Sequence, residues 1–261
     1  MKRVQLFEFE DFQWIPDSIR SSMTRLITVL IKMMGIQHII SKKVKTVLSE
    51  NKLNSVVDLG SGAGGAMPLI HEDIPEVKMT LSDLFPNKTA IKYINENGGE
   101  NLKYLETPVN ASDFKSAPQG LKTMINCFHH MPPKQAKSIL KSAYENKQPF
   151  LIYEMAENKM PLIAWLIMLP ISMVIMIITV LFMTPFVKPL TWQQLVFTYL
   201  VPIIPILYAW DGQASMPRMY SMDDMDQLLE GLSSDSYSWT KEPALNEKGK
   251  ATGTFVIGLP K

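Results

Sequence analysis

The stretch from Met160 to Met183 runs for 24 residues without a charged side chain. As a helix rising about 1.5 Å per residue it is long enough to cross a hydrocarbon layer of about 30 Å, and it shows no polar face at helical spacing. A second apolar segment, Leu195 to Trp210, contains Pro202 and Pro205, so it spans with its flanks or enters one leaflet and returns. Between the two, Thr184 to Thr191 carries Pro185, Lys188 and Pro189 and reads as a turn at the far surface. Trp165, Trp192 and Trp210 fall near segment ends, where interfacial anchors are expected. A buried helical pair or an apolar dimer interface is the competing reading; length and the missing polar face favour the bilayer. Two crossings return the chain to its starting side, which is required if the flanking segments form one soluble fold.

Those flanks alternate short β-branched runs with helical stretches, the pattern of a mostly parallel sheet covered by helices. Strands are expected at Ser55 to Leu59, Lys78 to Ser82, Leu102 to Glu106, Lys122 to Cys127 and Phe150 to Glu154. Pro133 to Asn146 reads as a helix with proline in its first turn. Ser221 reads as the N-cap of MDDMDQLLEGL, with acids where the helix dipole favours them. Ser236 to Ala244 and Thr252 to Leu259 alternate around a turn-rich segment and predict a closing antiparallel hairpin. The expected organisation is an N-terminal arm and helix over residues 1–35, a core over 36–159, an apolar insertion over 160–210 and completion of the core over 211–261. The opening MKRVQLFEFEDFQW lacks a secretory core and is read as retained. A net charge of +1 argues against a nucleic-acid partner, and the single cysteine, Cys127, excludes an internal disulfide or a multi-cysteine metal site.

The strongest local signal is Val56-Val57-Asp58-Leu59-Gly60-Ser61-Gly62-Ala63-Gly64-Gly65, an apolar strand running into a glycine turn. Such a turn brings backbone N–H groups close to a ligand. Gly60, Gly62 and Gly65 also satisfy the dinucleotide fingerprint. Asp58 discriminates, since a carboxylate beside the turn repels a pyrophosphate but suits the ammonium and sulfonium charges of S-adenosyl-L-methionine.

On Asp58, Gly60, Gly62 and Gly64 the chain resembles the class I S-adenosylmethionine-dependent methyltransferases. The resemblance covers residues 36–159 and 221–261 and implies a Rossmann-like α/β fold: a seven-stranded, mostly parallel sheet with an antiparallel last strand, here with an inserted apolar helical hairpin. It implies that Asp83, 21 residues beyond Gly62, binds the ribose hydroxyls, and that Asp113 lies near the adenine with Phe114 as a packing surface. Cofactor contacts are thereby expected from Asp58, Gly60, Ser61, Gly62, Gly64, Asp83, Leu84, Ser112, Asp113 and Asn126. The stretch Asn126-Cys127-Phe128-His129-His130-Met131 resembles that of small-molecule and quinone methyltransferases and should border the transferable methyl.

His129 or His130 is the candidate general base, as imidazole titrates near neutrality; orientation or packing is the alternative. Tyr153 and Glu154 at the end of the fifth strand, and Trp14 in the aromatic and acidic arm Phe7 to Pro16, are candidates for touching substrate. That arm reads either as a lid or as ordinary helix packing. Lys42, Lys43 and Lys45 could meet anionic headgroups. The expected reaction is methyl transfer to a small or lipid-soluble acceptor, with the bilayer as partner, the catalytic part on the cytoplasmic side and no metal. The competing readings are a membrane-associated dinucleotide oxidoreductase and a non-catalytic S-adenosylmethionine-binding membrane module.

Overall fold

The computed structural model of the chain describes residues 1–12 and 14–261, so Gln13 of the arm lies outside the described residues. Two helices open it, α1 (Asp17–Met34) and α2 (Ile36–Glu50), separated by Gly35 in the left-handed region at φ 65°. The alternating part follows as β1 (Ser55–Leu59), α3 (Met67–Asp73), β2 (Lys78–Ser82), α4 (Lys88–Asn97), β3 (Leu102–Tyr104), β4 (Leu121–Ile125), α5 (Pro133–Glu145) and β5 (Phe150–Glu154). Then come the apolar helix α6 (Leu162–Met183), the short α7 (Trp192–Leu195) and α8 (Ile203–Arg218), before α9 (Met222–Leu229), β6 (Tyr237–Leu245) and β7 (Ala251–Pro260) close the chain.

The strands form one seven-stranded sheet in the order β3-β2-β1-β4-β5-β7-β6. β1 pairs in parallel with β2 and β4, β4 with β5, and β2 with β3, whereas β7 runs antiparallel to both β5 and β6. Val56, Leu81, Leu121 and Leu151 are wholly shielded from solvent and pack on one face with Ile36, Ile40 and Ile70. On the other face Phe114, Phe150 and Ile152 meet Ile139 and Leu140 of α5 and Leu228 of α9. This order places the C-terminal ends of β1, β2, β4 and β5 along one edge, where ligands of open α/β sheets gather.

α6 and α8 pack side by side as the arms of a hairpin. A turn of π-helix over Val196–Leu200 follows α7, and the chain bends 83° before α8. Pro202 stands at that bend, where it can neither donate a backbone hydrogen bond nor leave its predecessor helical. α8 runs unbroken through Trp210 to Arg218, joining the apolar insertion directly to the core. α1 covers part of the hairpin through Met23 and Leu26 against Val180, Met183 and Tyr208. The rest is bare: Ile163 and Phe182 are 73% and 74% exposed. Of the three tryptophans read as interfacial anchors, Trp192 exposes its ring, whereas Trp165 is buried with Nε1 donating to the Gln213 carbonyl, and Trp210 stacks on Phe7. The basic cluster is partly engaged by the chain's own acids, as Lys43 pairs with Glu242 and the exposed Lys45 with Glu76.

Candidate active site

The glycine turn leaves β1 with Gly60, Gly62, Gly64 and Gly65 all at positive φ. At Gly62 an added Cβ would meet open space, while at Gly60 it would press on the Cys127 sulfur at 3.3 Å. The turn is thus held from below and open above. Asp58 fastens it: Ser61 Oγ donates to one carboxylate oxygen at 2.6 Å and Thr123 Oγ1 to the other at 2.7 Å. The cofactor contact expected of Asp58 is therefore corrected, because the side chain is buried with both oxygens engaged by hydroxyls. Burial raises its pKa to about 7, against the lowering effect of those two bonds. Ser61 is likewise turned inward and accepts from Ser82 N–H. Thr123 was not legible in advance, since a threonine inside a β-strand carries no signal of its own.

Asp83, just past β2, faces the turn. Its Oδ2 accepts from the Gly62 N–H at 2.8 Å and its Oδ1 from the Phe85 N–H at 2.8 Å. Leu84 and Phe85 beside it are exposed, Phe85 to 70%. Val109 N–H donates to the Asp83 carbonyl, drawing in the loop that carries Ser112 and Asp113. In that loop Ser112 N–H donates to Asn110, and the exposed Asp113 accepts from Ser116 N–H. Phe114 offers no adenine surface: it is 1% exposed, edge-on to Phe150 in the core. Across the turn Asn126 sits at φ 54° just beyond β4, its Oδ1 accepting from Met155 N–H, and its buried Nδ2 has no partner among the described residues. An orphaned buried donor is costly enough to suggest a ligand acceptor.

The next residues form the other half of the site. Glu154 grips His129 twice, accepting from its backbone N–H at 3.0 Å and meeting its Nδ1 at 2.8 Å. The carboxylate therefore orients the histidine, which is 5% exposed, and the direct substrate contact expected of Glu154 is replaced by this role. Tyr153 is corrected outright: it is fully buried on the opposite face of β5, its hydroxyl donating to the Thr252 carbonyl. His130 is corrected as a base. Its Nδ1 lies 2.9 Å from Asp11 and its Nε2 3.7 Å from Glu8. Burial lowers its pKa, but the bond to Asp11 and the charges of Glu8 and Glu10 outweigh this and raise it to about 9.

The arm thus closes over the sheet end through charge. Arg218, wholly buried at the end of α8, bridges Glu8 at 2.9 Å and Asp11 at 2.7 Å. Burial works against the Asp11 carboxylate, yet its bonds to His130 and Arg218 pull its pKa down to about 2. Arg3 donates to the carbonyls of both Arg218 and His129. Trp14 takes no part: it is 69% exposed and stacks on Phe12. Glu8, Asp11 and Arg218 escaped sequence reasoning, although one arginine terminating an apolar segment and acids among arm aromatics were the available signal. Behind the arm, at the foot of the hairpin, a cavity of about 550 Å³ is lined by Lys2, Val4, Met160, Trp165, Met216 and Met222, among others.

No family profile matches the chain. An isoflavone 4'-O-methyltransferase of Medicago truncatula is 36% identical over 111 residues, 40% of this chain and 28% of the relative. A (+)-6a-hydroxymaackiain 3-O-methyltransferase of Pisum sativum is 32% identical over 111 residues, with the same coverage of 40% and 28%. The chain thus spans little more than a quarter of the length of these curated relatives. Over nearly its whole length it superposes on a plantazolicin methyltransferase solved with SAH, at 12% identity and a TM-score of 0.52, covering 94% of this chain and 98% of that one. Strand order, reversed β7 and this superposition together define the fold as the α/β class I methyltransferase fold, with a helical insertion between β5 and α9.

Proposed function

We propose that the protein is an S-adenosylmethionine-dependent methyltransferase acting on a small, lipid-soluble acceptor hydroxyl at a membrane surface. The observation that carries the reading is the open turn at Gly62, flanked by the Asp83 carboxylate and the orphaned Asn126 amide. These residues fit the cofactor: Asp83 would accept from ribose hydroxyls, the turn would admit the amino-acid portion against backbone, and Asn126 Nδ2 would donate to it. They fit a dinucleotide poorly, because the Gly62 N–H that a pyrophosphate would need already donates to Asp83. The curated relatives are named as O-methyltransferases, which supports an oxygen acceptor.

The cofactor, when bound, supplies a methyl group on a sulfonium. Aligning two bound reactants lowers the barrier by about 7 to 11 kcal/mol when the geometry is near-attack. In this reading His129, three residues beyond Asn126, borders the methyl. Its bond to the Glu154 carboxylate places the proton on Nδ1 and the lone pair on Nε2, so Nε2 accepts the acceptor hydroxyl's proton while Glu154 steadies the resulting charge. This pair favours an enzyme over a module that only binds cofactor.

Membrane association is supported by Leu162–Phe186, 25 residues long and, among the described residues, the one unbroken helix long and apolar enough to cross. Either bent pair, Asp17–Met34 with Ile36–Glu50 or Trp192–Leu200 with Ile203–Arg218, would count as a span only if its two helices act as one. In this reading the hairpin holds the core on the cytoplasmic side. Calorimetric titration of the detergent-solubilised protein with S-adenosylhomocysteine and with NAD(P)H tests the chemistry. Binding of the first alone is expected, and binding of the dinucleotide alone overturns the reading. Extraction by salt without detergent would overturn the embedded hairpin, as would cleavage of residues 184–191 from the cytoplasmic side.

A further inference from the structure

We infer that Glu8, His129 and His130 form a binding site for a divalent transition-metal ion of the zinc type. Each offers one donor atom, and these three atoms lie within 4.8 Å of one another. Both imidazoles are pre-oriented in the manner of metal ligands: one ring nitrogen of each is tied to a carboxylate, His129 Nδ1 to Glu154 at 2.8 Å and His130 Nδ1 to Asp11 at 2.9 Å. That leaves the second nitrogen of each ring as the one that can bind metal, His130 after giving up the proton it holds toward Glu8, the arrangement in which outer carboxylates fix direction. The third ligand is oriented too. One oxygen of Glu8 is held by Arg218 at 2.9 Å and Ser215 Oγ at 3.1 Å, while the other faces His130 Nε2 at 3.7 Å.

Two imidazoles and one carboxylate are a zinc donor set that leaves a fourth position open. With metal–donor bonds of about 2.0–2.1 Å, tetrahedral ligand atoms stand about 3.3 Å apart, so the set needs only to draw inward. Acids outnumber guanidiniums around it, with the buried Glu8 and Glu154 and the more exposed Asp11 set against Arg218 and Arg3. Loading replaces the long His130–Glu8 contact by two metal bonds and releases any proton held between them. It also ties the N-terminal arm to the exit of β4.

The site stands on this geometry alone. One consequence rests on the proposed reaction: a His129 nitrogen bound to metal cannot accept a proton, so occupancy and turnover should oppose each other. The test uses the full-length, detergent-solubilised chain, stripped with EDTA, loaded with Zn²⁺ and desalted. Elemental analysis should find one zinc per chain, and Co²⁺ loading should give the visible absorption of a four-coordinate site. H130Q and E8Q should each weaken zinc retention at least tenfold, while S-adenosylhomocysteine binding by the same samples reports an intact fold. Wild-type protein that retains no more zinc than H130Q overturns the site. Zinc retained without loss of methyl transfer upholds the site and removes His129 as the base.

Discussion

The two halves of the site are built differently. The cofactor half is assembled from one short stretch and its immediate strand neighbours: Asp58, Ser61 and Thr123 lock the turn, and Asp83 leans on Gly62 from the adjacent strand end. The acceptor half joins segments far apart, with Asp11 and Arg218 separated by 207 residues and His130 and Asp11 by 119. The first is a backbone shape that hydroxyls keep in place. The second is a set of mostly buried charges that hold an arm against a helix end, and buried charge networks are costly when any buried member is lost. Substitutions in the two halves should therefore fail in different ways.

The largest effect should come from the hinge between the halves. Replacing His129 with glutamine should lower kcat by about 10²- to 10⁴-fold, the usual span for a general base, with S-adenosylhomocysteine affinity unchanged. Glu154→Gln should show a smaller kcat loss of the same kind, because it disturbs orientation and not the accepting nitrogen. Affinity lost in step with turnover would place His129 in the cofactor half and erase the distinction. Next is Arg218→Met, which leaves Glu8 and Asp11 without their guanidinium. A cost on the order of 3 kcal/mol in thermal or denaturant unfolding is expected, the low end for breaking a buried pair because Asp11 is 38% exposed. A change near zero would mean that the arm is not latched by charge. Asp83→Ala should weaken S-adenosylhomocysteine binding by about 10- to 100-fold, from the loss of charge-assisted hydrogen bonds, while leaving unfolding nearly unaltered.

The same contrast explains what could be read from the sequence. The glycine turn, β1, β2, the capped α9 and the closing hairpin all announce themselves through local chemistry, and they stand where expected: β6 and β7 cover the predicted strands within a residue, and α5 begins at Pro133. At Asp58 the sequence shows a carboxylate beside a turn and not the Thr123 hydroxyl 65 residues away that engages it. Tyr153 and Glu154 are neighbours in sequence, yet the two-residue period of a strand sends them to opposite faces. The latch among Glu8, Asp11, His130 and Arg218 has only a faint signature, acids among arm aromatics and an arginine ending an apolar segment, and nothing local pairs them, since its members meet only once α8 has returned to the sheet.

The smallest expected effect probes how far the charged half reaches. Ser221 caps α9 reciprocally with Asp224: Ser221 Oγ accepts from Asp224 N–H at 3.2 Å, and Asp224 Oδ2 accepts from Ser221 N–H at 3.1 Å. The other oxygen of Asp224 accepts from the Lys2 N–H at 3.0 Å, so the cap that starts α9 also fastens the beginning of the arm. Ser221→Ala should cost about 1 kcal/mol, the usual worth of an N-cap, and shift the unfolding midpoint without changing cofactor affinity. Asp224→Ala should cost more, because it also releases Lys2 and frees the segment that carries Arg3 to the His129 carbonyl. If the arm and α9 act as one unit, proteolysis of the first residues should accelerate in Asp224→Ala and much less in Ser221→Ala. Equal acceleration would show that the cap, not the Lys2 contact, anchors the arm, and the acceptor half would then rest on helix geometry as the cofactor half rests on its turn.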